Sequence, residues 1–352
     1  MLNRANINSN INKRCTLPTN KGILLYLFAI LYALFVVLFP WETINRQGES
    51  VGGFNDFEVY LNYFEVDRAG RSKVDIYGFT TLIQFFTGEV FWDYFIGGLS
   101  QFIGAYAALR FASFLTILIW ALIAFRYIPV WWAIIFLANP TSIDVAMSAI
   151  RNGFAYALFL YGMLFLSGKK RMILMFISPF FHSTSVVLLT FFYGIKFWFK
   201  KIFKNSILLF TSKTRTIMIA VLPGIAVGIA LTFLSEFVLG FLGDRRVGII
   251  GKSESPSILQ SLFWYILFAV QLTCSTEYIK KHSFTINIIA WYLIMNLYIS
   301  WSYRIWGAMI PMIAISIWDL PREKRRFVVL LWVTYLILWY TYWTKFLLWI
   351  TG

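Results

Sequence analysis

Two arginines stand where apolar helices should begin. Arg151 opens the run IRNGFAYALFLYG, and Arg304 lies in WSYRIWGAMIPM. A guanidinium in such a setting is costly unless it meets an anion or reaches an aqueous rim. Lys169 follows Arg151 by eighteen residues. That is about 27 Å of helix, close to the ~30 Å hydrocarbon core of a bilayer. Arg322 follows Arg304 by the same eighteen residues. With the later basic residues at the inner surface, both arginines come to the outer rim near a helix N-terminus, where backbone dipoles favour anions. Each could simply snorkel or pair with a carboxylate for structure. Two at matched depth, with small or aromatic neighbours instead of acids, point to a shared anionic ligand.

Other side chains could serve the same chemistry. His182 in SPFFHSTS lies at the expected tip of a helical hairpin, followed by three hydroxyl residues. It is a candidate general base, with Asp56 as the second choice; a hydrogen-bonded structural histidine is the plainer alternative. The stretch GGFNDFEVYLNYFEVD alternates acids and aromatics. Asp56, Glu58, Tyr60 and Tyr63 suit a sugar-binding surface or, equally, a solvated helix lying on the membrane. Arg245 and Arg246, in the Gly-rich segment GFLGDRRVGIIGKSES, could close over an anion or meet lipid headgroups. Asn152 and Tyr303, beside the two arginines, complete the substrate-binding set. Ala155 and Gly162 share a helix face with Arg151 and leave a groove for a close helix or a lipid tail. His282, next to Lys280-Lys281, reads as a surface residue. No clustered acids, histidines or cysteines suggest a metal, and no phosphate loop suggests a nucleotide, so no cofactor is expected.

The elements that must hold these residues are membrane helices. The chain of 352 residues is 59% hydrophobic and only 13% charged, about half the charged share of a soluble domain. Mean hydropathy is +0.70. The net charge of +15 sits at the ends of apolar runs, as the positive-inside rule predicts, and not as a nucleic-acid-binding face. Cys15 and Cys274 form no framework. An all-α, polytopic fold is predicted, with a cytoplasmic basic tail over 1–21 and a single transmembrane domain over 22–352. About nine full crossings are expected, plus a short-helix hairpin over 172–199, for which a single crossing is the rival. One helix is expected from Pro140 to about Leu166. Long outer loops fall at about 40–97 and 235–257, and they direct attention to the outer face.

Read in order, these features resemble a known family. An Asp- and Tyr-rich segment follows the first helix; IRNGFAYALFL precedes a Lys-Lys-Arg turn; SPFFHSTSVVLL and a late WSYRIWGAMIPM complete the set. The chain resembles the EpsG/Wzy-type polysaccharide polymerases from about Gly22 to Arg326. The family's arginine-ten-residues-glycine pattern occurs from Arg151 to Gly162, while Ile315 stands where a second copy after Arg304 would need glycine.

The resemblance implies a GT-C-like helical enzyme of the bacterial inner membrane, with its N-terminus cytoplasmic. It would transfer a growing glycan from undecaprenyl diphosphate to the next lipid-linked repeat unit, building O-antigen, capsule or exopolysaccharide at the periplasmic face. Its partners would be the lipid-linked glycan, membrane lipid and a candidate chain-length regulator protein, with no nucleic acid. A lipid-linked oligosaccharide flippase and an O-antigen ligase are the alternatives. A flippase would want charges through the midplane and repeated halves, which this sequence lacks.

Overall fold

A computed structural model describes residues 19–41, 54–67, 90–204, 212–241, 258–297 and 302–343. The described residues are helical with no strand. The basic tail, Arg245, Arg246 and most of both long loops lie outside them.

Local signals explain most helix boundaries. The first long helix, α1 (Thr19–Leu38), is followed by the short loop helix α2 (Asn55–Asn62) and a π-helical turn, Tyr63–Asp67. Helix α3 (Val90–Ile103) ends at Gly104, whose φ of +82° suits glycine, and α4 (Ala105–Tyr127) begins there. Next come α5 (Val130–Leu137) and α6 (Pro140–Met147), bent by 70° relative to each other. At the bend the Asn139 side chain accepts from the Thr141 N–H, and Pro140 occupies the first turn.

The single helix expected from Pro140 to Leu166 is interrupted. Helix α6 stops at Met147, and α7 (Ile150–Phe165) starts after Ser148-Ala149. The Asp144 carbonyl accepts from both Ser148 and Ala149 N–H groups, closing α6. Gly153 then packs so tightly that an added Cβ would stand 2.9 Å from the Val145 carbonyl oxygen. This tight reversal makes Arg151 the second residue of a helix of its own, and that break is not written in the hydrophobic pattern.

Helix α8 (Gly168–Phe181) runs antiparallel to α7, with Met175 against Gly162 and Phe181 against Phe154. The small-residue groove below Arg151 is therefore filled by a helix. After His182, α9 (Ser185–Lys204) doubles back: Phe192 meets Phe159 and Tyr193 stacks on Phe176. The expected hairpin is present, its tip at residues 182–184.

The second half comprises α10 (Ser212–Phe241), α11 (Ile258–Leu272), α12 (Thr276–Lys281) and α13 (Ser283–Met295). It continues with α14 (Tyr303–Gly307), α15 (Ile310–Trp318) and α16 (Arg322–Trp343). Gly224 and Gly228 let α10 lie directly on α13; a Cβ at Gly224 would collide with the Asn287 carbonyl oxygen. Trp264, Trp306, Trp332 and Tyr335 form an aromatic core joining α11, α14 and α16.

Among the described residues, Ala105–Tyr127 and Ser212–Phe233 are long and apolar enough to cross a bilayer, and the bent α5–α6 pair makes a third if counted as one span. Several shorter apolar helices accompany them.

Candidate functional site

The site is organised by α2, a helix of eight residues in the first loop. Asp56 and Glu58 occupy its first turn, where carboxylates favour the positive end of the helix dipole. Asp56, Tyr60 and Tyr63 recur at i, i+4 and i+7, so they share one face. That face meets the rest of the protein.

Each residue on it takes a partner from a distant helix. Asp56 Oδ2 accepts from Arg304 Nη2 at 2.6 Å. The Tyr60 hydroxyl accepts from Arg151 Nε at 3.1 Å, and the same guanidinium lies 5.0 Å from the Tyr60 ring centroid. Tyr63 donates to Asp93 Oδ2 at 3.2 Å. Asp56 and Tyr60 are one helical turn apart, roughly 6 Å. The two arginines expected at equivalent depth thus meet on adjacent turns of one short helix. The expectation that both have small or aromatic neighbours is corrected at Arg304: its charge is paired with a carboxylate.

Around this pair the fold adds residues that the sequence reading passed over. Tyr303 donates to Asp144 Oδ2 at 3.3 Å. Helix α14 can approach α6 this closely because Gly307 faces Thr141 and Val145, where a Cβ would stand 3.0 Å from both side chains. The chain Asp144–Tyr303, then Arg304–Asp56, makes Asp144 part of the site. Arg110 on α4 is the second addition. Its guanidinium lies 4.9 Å from the centroid of the buried Phe57 of α2. Three arginines from three helices therefore converge on one helix of the loop.

The other candidates divide. Asn152 is buried, and its side-chain oxygen finds no partner among the described residues. Glu58 is two residues from Asp56 and so lies on the other side of α2; it does not join the paired face. The aromatics of this segment anchor it more than they display a stacking surface: Tyr60 packs edge-on to Trp92, and Tyr63 to Phe64. His182 sits at the hairpin tip. That tip is fixed by Phe181 against Phe95 and Phe154, and by the Tyr156–Thr184 hydroxyl pair at 3.2 Å. Tyr156 is five residues after Arg151, ~7 Å down the same helix, so His182 shares the arginine end while its tip is fixed by a separate set of contacts.

His282 is corrected outright. It is only 3% exposed, with Nε2 3.0 Å from Asp319 Oδ2, and Lys281 reaches the same oxygen at 2.6 Å. Burial lowers its pKa. The Lys-Lys-His sequence implied a surface, but the helix turn at residues 281–283 directs the ring inward.

No group of three or more metal-ligating side chains occurs among the described residues. In comparisons with known proteins, the sequence model of the EpsG family matches residues 21–349. No curated protein and no solved structure matches the chain.

Proposed function

Because the chain belongs to the EpsG family, we propose that it polymerises lipid-linked repeat units by glycosyl transfer at the periplasmic face of the bacterial inner membrane. The apolar helices and the family support a multi-pass membrane protein of polysaccharide biosynthesis. The finer reading adds about nine crossings in one transmembrane domain, a GT-C-like arrangement and a cytoplasmic N-terminus.

One observation carries the reading: Arg151 and Arg304, 153 residues apart in the chain, are drawn to adjacent turns of α2 by Tyr60 and Asp56. In the reaction, an acceptor hydroxyl oxygen bonds to the anomeric carbon of the growing chain. The bond from that carbon to the undecaprenyl diphosphate oxygen breaks, and its electrons leave with the diphosphate. The charge developing there is what two guanidinium groups stabilise. At rest, Arg304 holds Asp56. An arriving diphosphate competes for Arg304 and releases the Asp56 carboxylate, which can then take the acceptor's proton. On this geometry Asp56 is the first choice of base and His182 the second. Tyr303 holds Arg304 in place through Asp144.

The polarised placement of charge supports transfer at one face over the flippase alternative. The test is Arg151→Ala in cells, with protein abundance checked. Single-repeat glycan in place of long chains is expected; normal chain length at normal abundance overturns the proposal.

A further inference from the structure

A second feature of the same end has the form of a lipid site. Helices α1 and α4 enclose an open, mainly apolar groove of about 560 Å³, lined by residues including Leu34, Leu38, Ala107, Phe111 and Phe114. Along α4 it extends from Tyr106 to Phe114, ~12 Å of helix. That lies within one leaflet, about half of a ~30 Å hydrocarbon core.

Arg110 stands at this groove. Its guanidinium donates to the Tyr106 hydroxyl from Nε at 3.2 Å and from Nη2 at 3.0 Å, and from Nη1 to the Val37 carbonyl at 3.4 Å. It also lies over the Phe57 and Tyr106 rings. Among the described residues no carboxylate pairs with it. This contrasts with Arg304, whose charge Asp56 meets at 2.6 Å. Among the described residues Arg110 is held by neutral groups, and a guanidinium so placed beside an apolar trough suits a lipid whose headgroup is an anion. The groove is also continuous with the site: Phe57, under Arg110, is the residue after Asp56 on α2.

We propose that this groove binds the isoprenoid chain of a polyprenyl diphosphate, with Arg110 on its phosphate. It would be a second lipid position beside the one served by Arg151 and Arg304. The inference rests on the polymerase reading, in which two lipid-linked substrates must be present together. One diphosphate becomes a leaving group and needs two cations. The other stays intact through the reaction and needs only to be held, for which one suffices.

The test uses the purified full-length protein in detergent, titrated with decaprenyl diphosphate and followed by native mass spectrometry. Two bound lipids are expected. Arg110→Gln should weaken one of them by ~10-fold, the loss of a charge-assisted contact. Ala107→Trp should exclude it, because Ala107 is exposed in the groove and a large ring there fills the trough without disturbing the core. Two lipids retained with unchanged affinity in both variants would overturn the proposal. So would displacement of the second lipid by an equal concentration of phosphatidylglycerol, which would make the groove a site for bulk phospholipid. Normal chain length in Arg151→Ala with intact groove binding would instead sink the polymerase reading and leave the groove standing.

Discussion

The two ends of this bundle use arginine in opposite ways. At the end away from α2, Arg171 and Arg325 hydrogen-bond locally. Arg171 donates to the Leu166 carbonyl, five residues earlier, and Arg325 to the Trp318 carbonyl, seven residues earlier. These contacts satisfy the orphan carbonyls of helix C-termini and favour the negative end of the helix dipole. At the α2 end the contacts that join Arg151, Tyr303 and Arg304 to the rest of the site are remote: Arg151 to Tyr60 spans 91 residues, Tyr303 to Asp144 spans 159, and Arg304 to Asp56 spans 248. Local cations finish helices. Remote ones bring separate helices and a loop to one place, and a ligand that replaces any of those contacts can change how the place is held.

Substitutions at matched positions test that contrast. The largest effect is expected at Arg304→Ala, with polymerisation in a membrane assay falling by ~100-fold or more, the scale of removing an electrostatic stabiliser. Arg325→Ala at the other end should leave polymer length unchanged at equal protein abundance. If the two behave alike, the contrast fails. Arg151→Lys comes next, with a loss of about 10-fold, since an ammonium cannot reproduce a two-point guanidinium contact. Full activity there would reduce Arg151 to a point charge. Tyr303→Phe removes the hydroxyl that ties Arg304's helix to Asp144. A several-fold fall in rate is expected, with a shift in its pH profile that a merely structural tyrosine would not produce.

The opposite end should show itself in stability against pH. Burial raises the Asp319 carboxyl, but His282 and Lys281 outweigh it and hold the pKa down at about 2. The stability this gives is full above an unfolded carboxylate's pKa of ~3.9 and is lost as pH falls from ~4 towards about 2. Burial lowers the His282 pKa below its usual ~6.5. The unfolded chain therefore takes a proton first as pH drops below ~6.5, which destabilises the fold. Thermal melts in detergent should lose stability on acidification from ~6.5, and His282→Asn should flatten the upper part of that loss. An unchanged slope in the variant would show that His282 is not the group responsible.

The smallest effect tests the packing between the two ends. Gly224→Ala should lower stability by about 1–3 kcal/mol through overpacking against Asn287, while the glycan length per molecule of folded protein stays constant.

Much of the fold was legible in the residues themselves. The apolar runs, the Asn139-Pro140 start and the hairpin around His182 followed from local rules: hydrophobic content, caps, and basic residues at helix ends. Counting back from Lys169 and Arg322 assumes unbroken helices, but the first interval is interrupted after Phe165 and the second after Gly307 and again after Trp318. What brings Arg151 and Arg304 together is α2. The sequence also carried the family, through motifs in order. What it could not hold was partnership. Nothing in NDFEVYLN says that Asp56 meets an arginine 248 residues away, that Phe57 lies under Arg110, or that Asp144 receives Tyr303. Nor did it show that His282 turns inward or that the helix breaks after Met147. Those outcomes depend on which helices lie side by side and how closely their glycines let them approach. Helix formation is decided within a few residues by backbone hydrogen bonds and burial, whereas a pair between distant residues exists only once the whole bundle has closed around it.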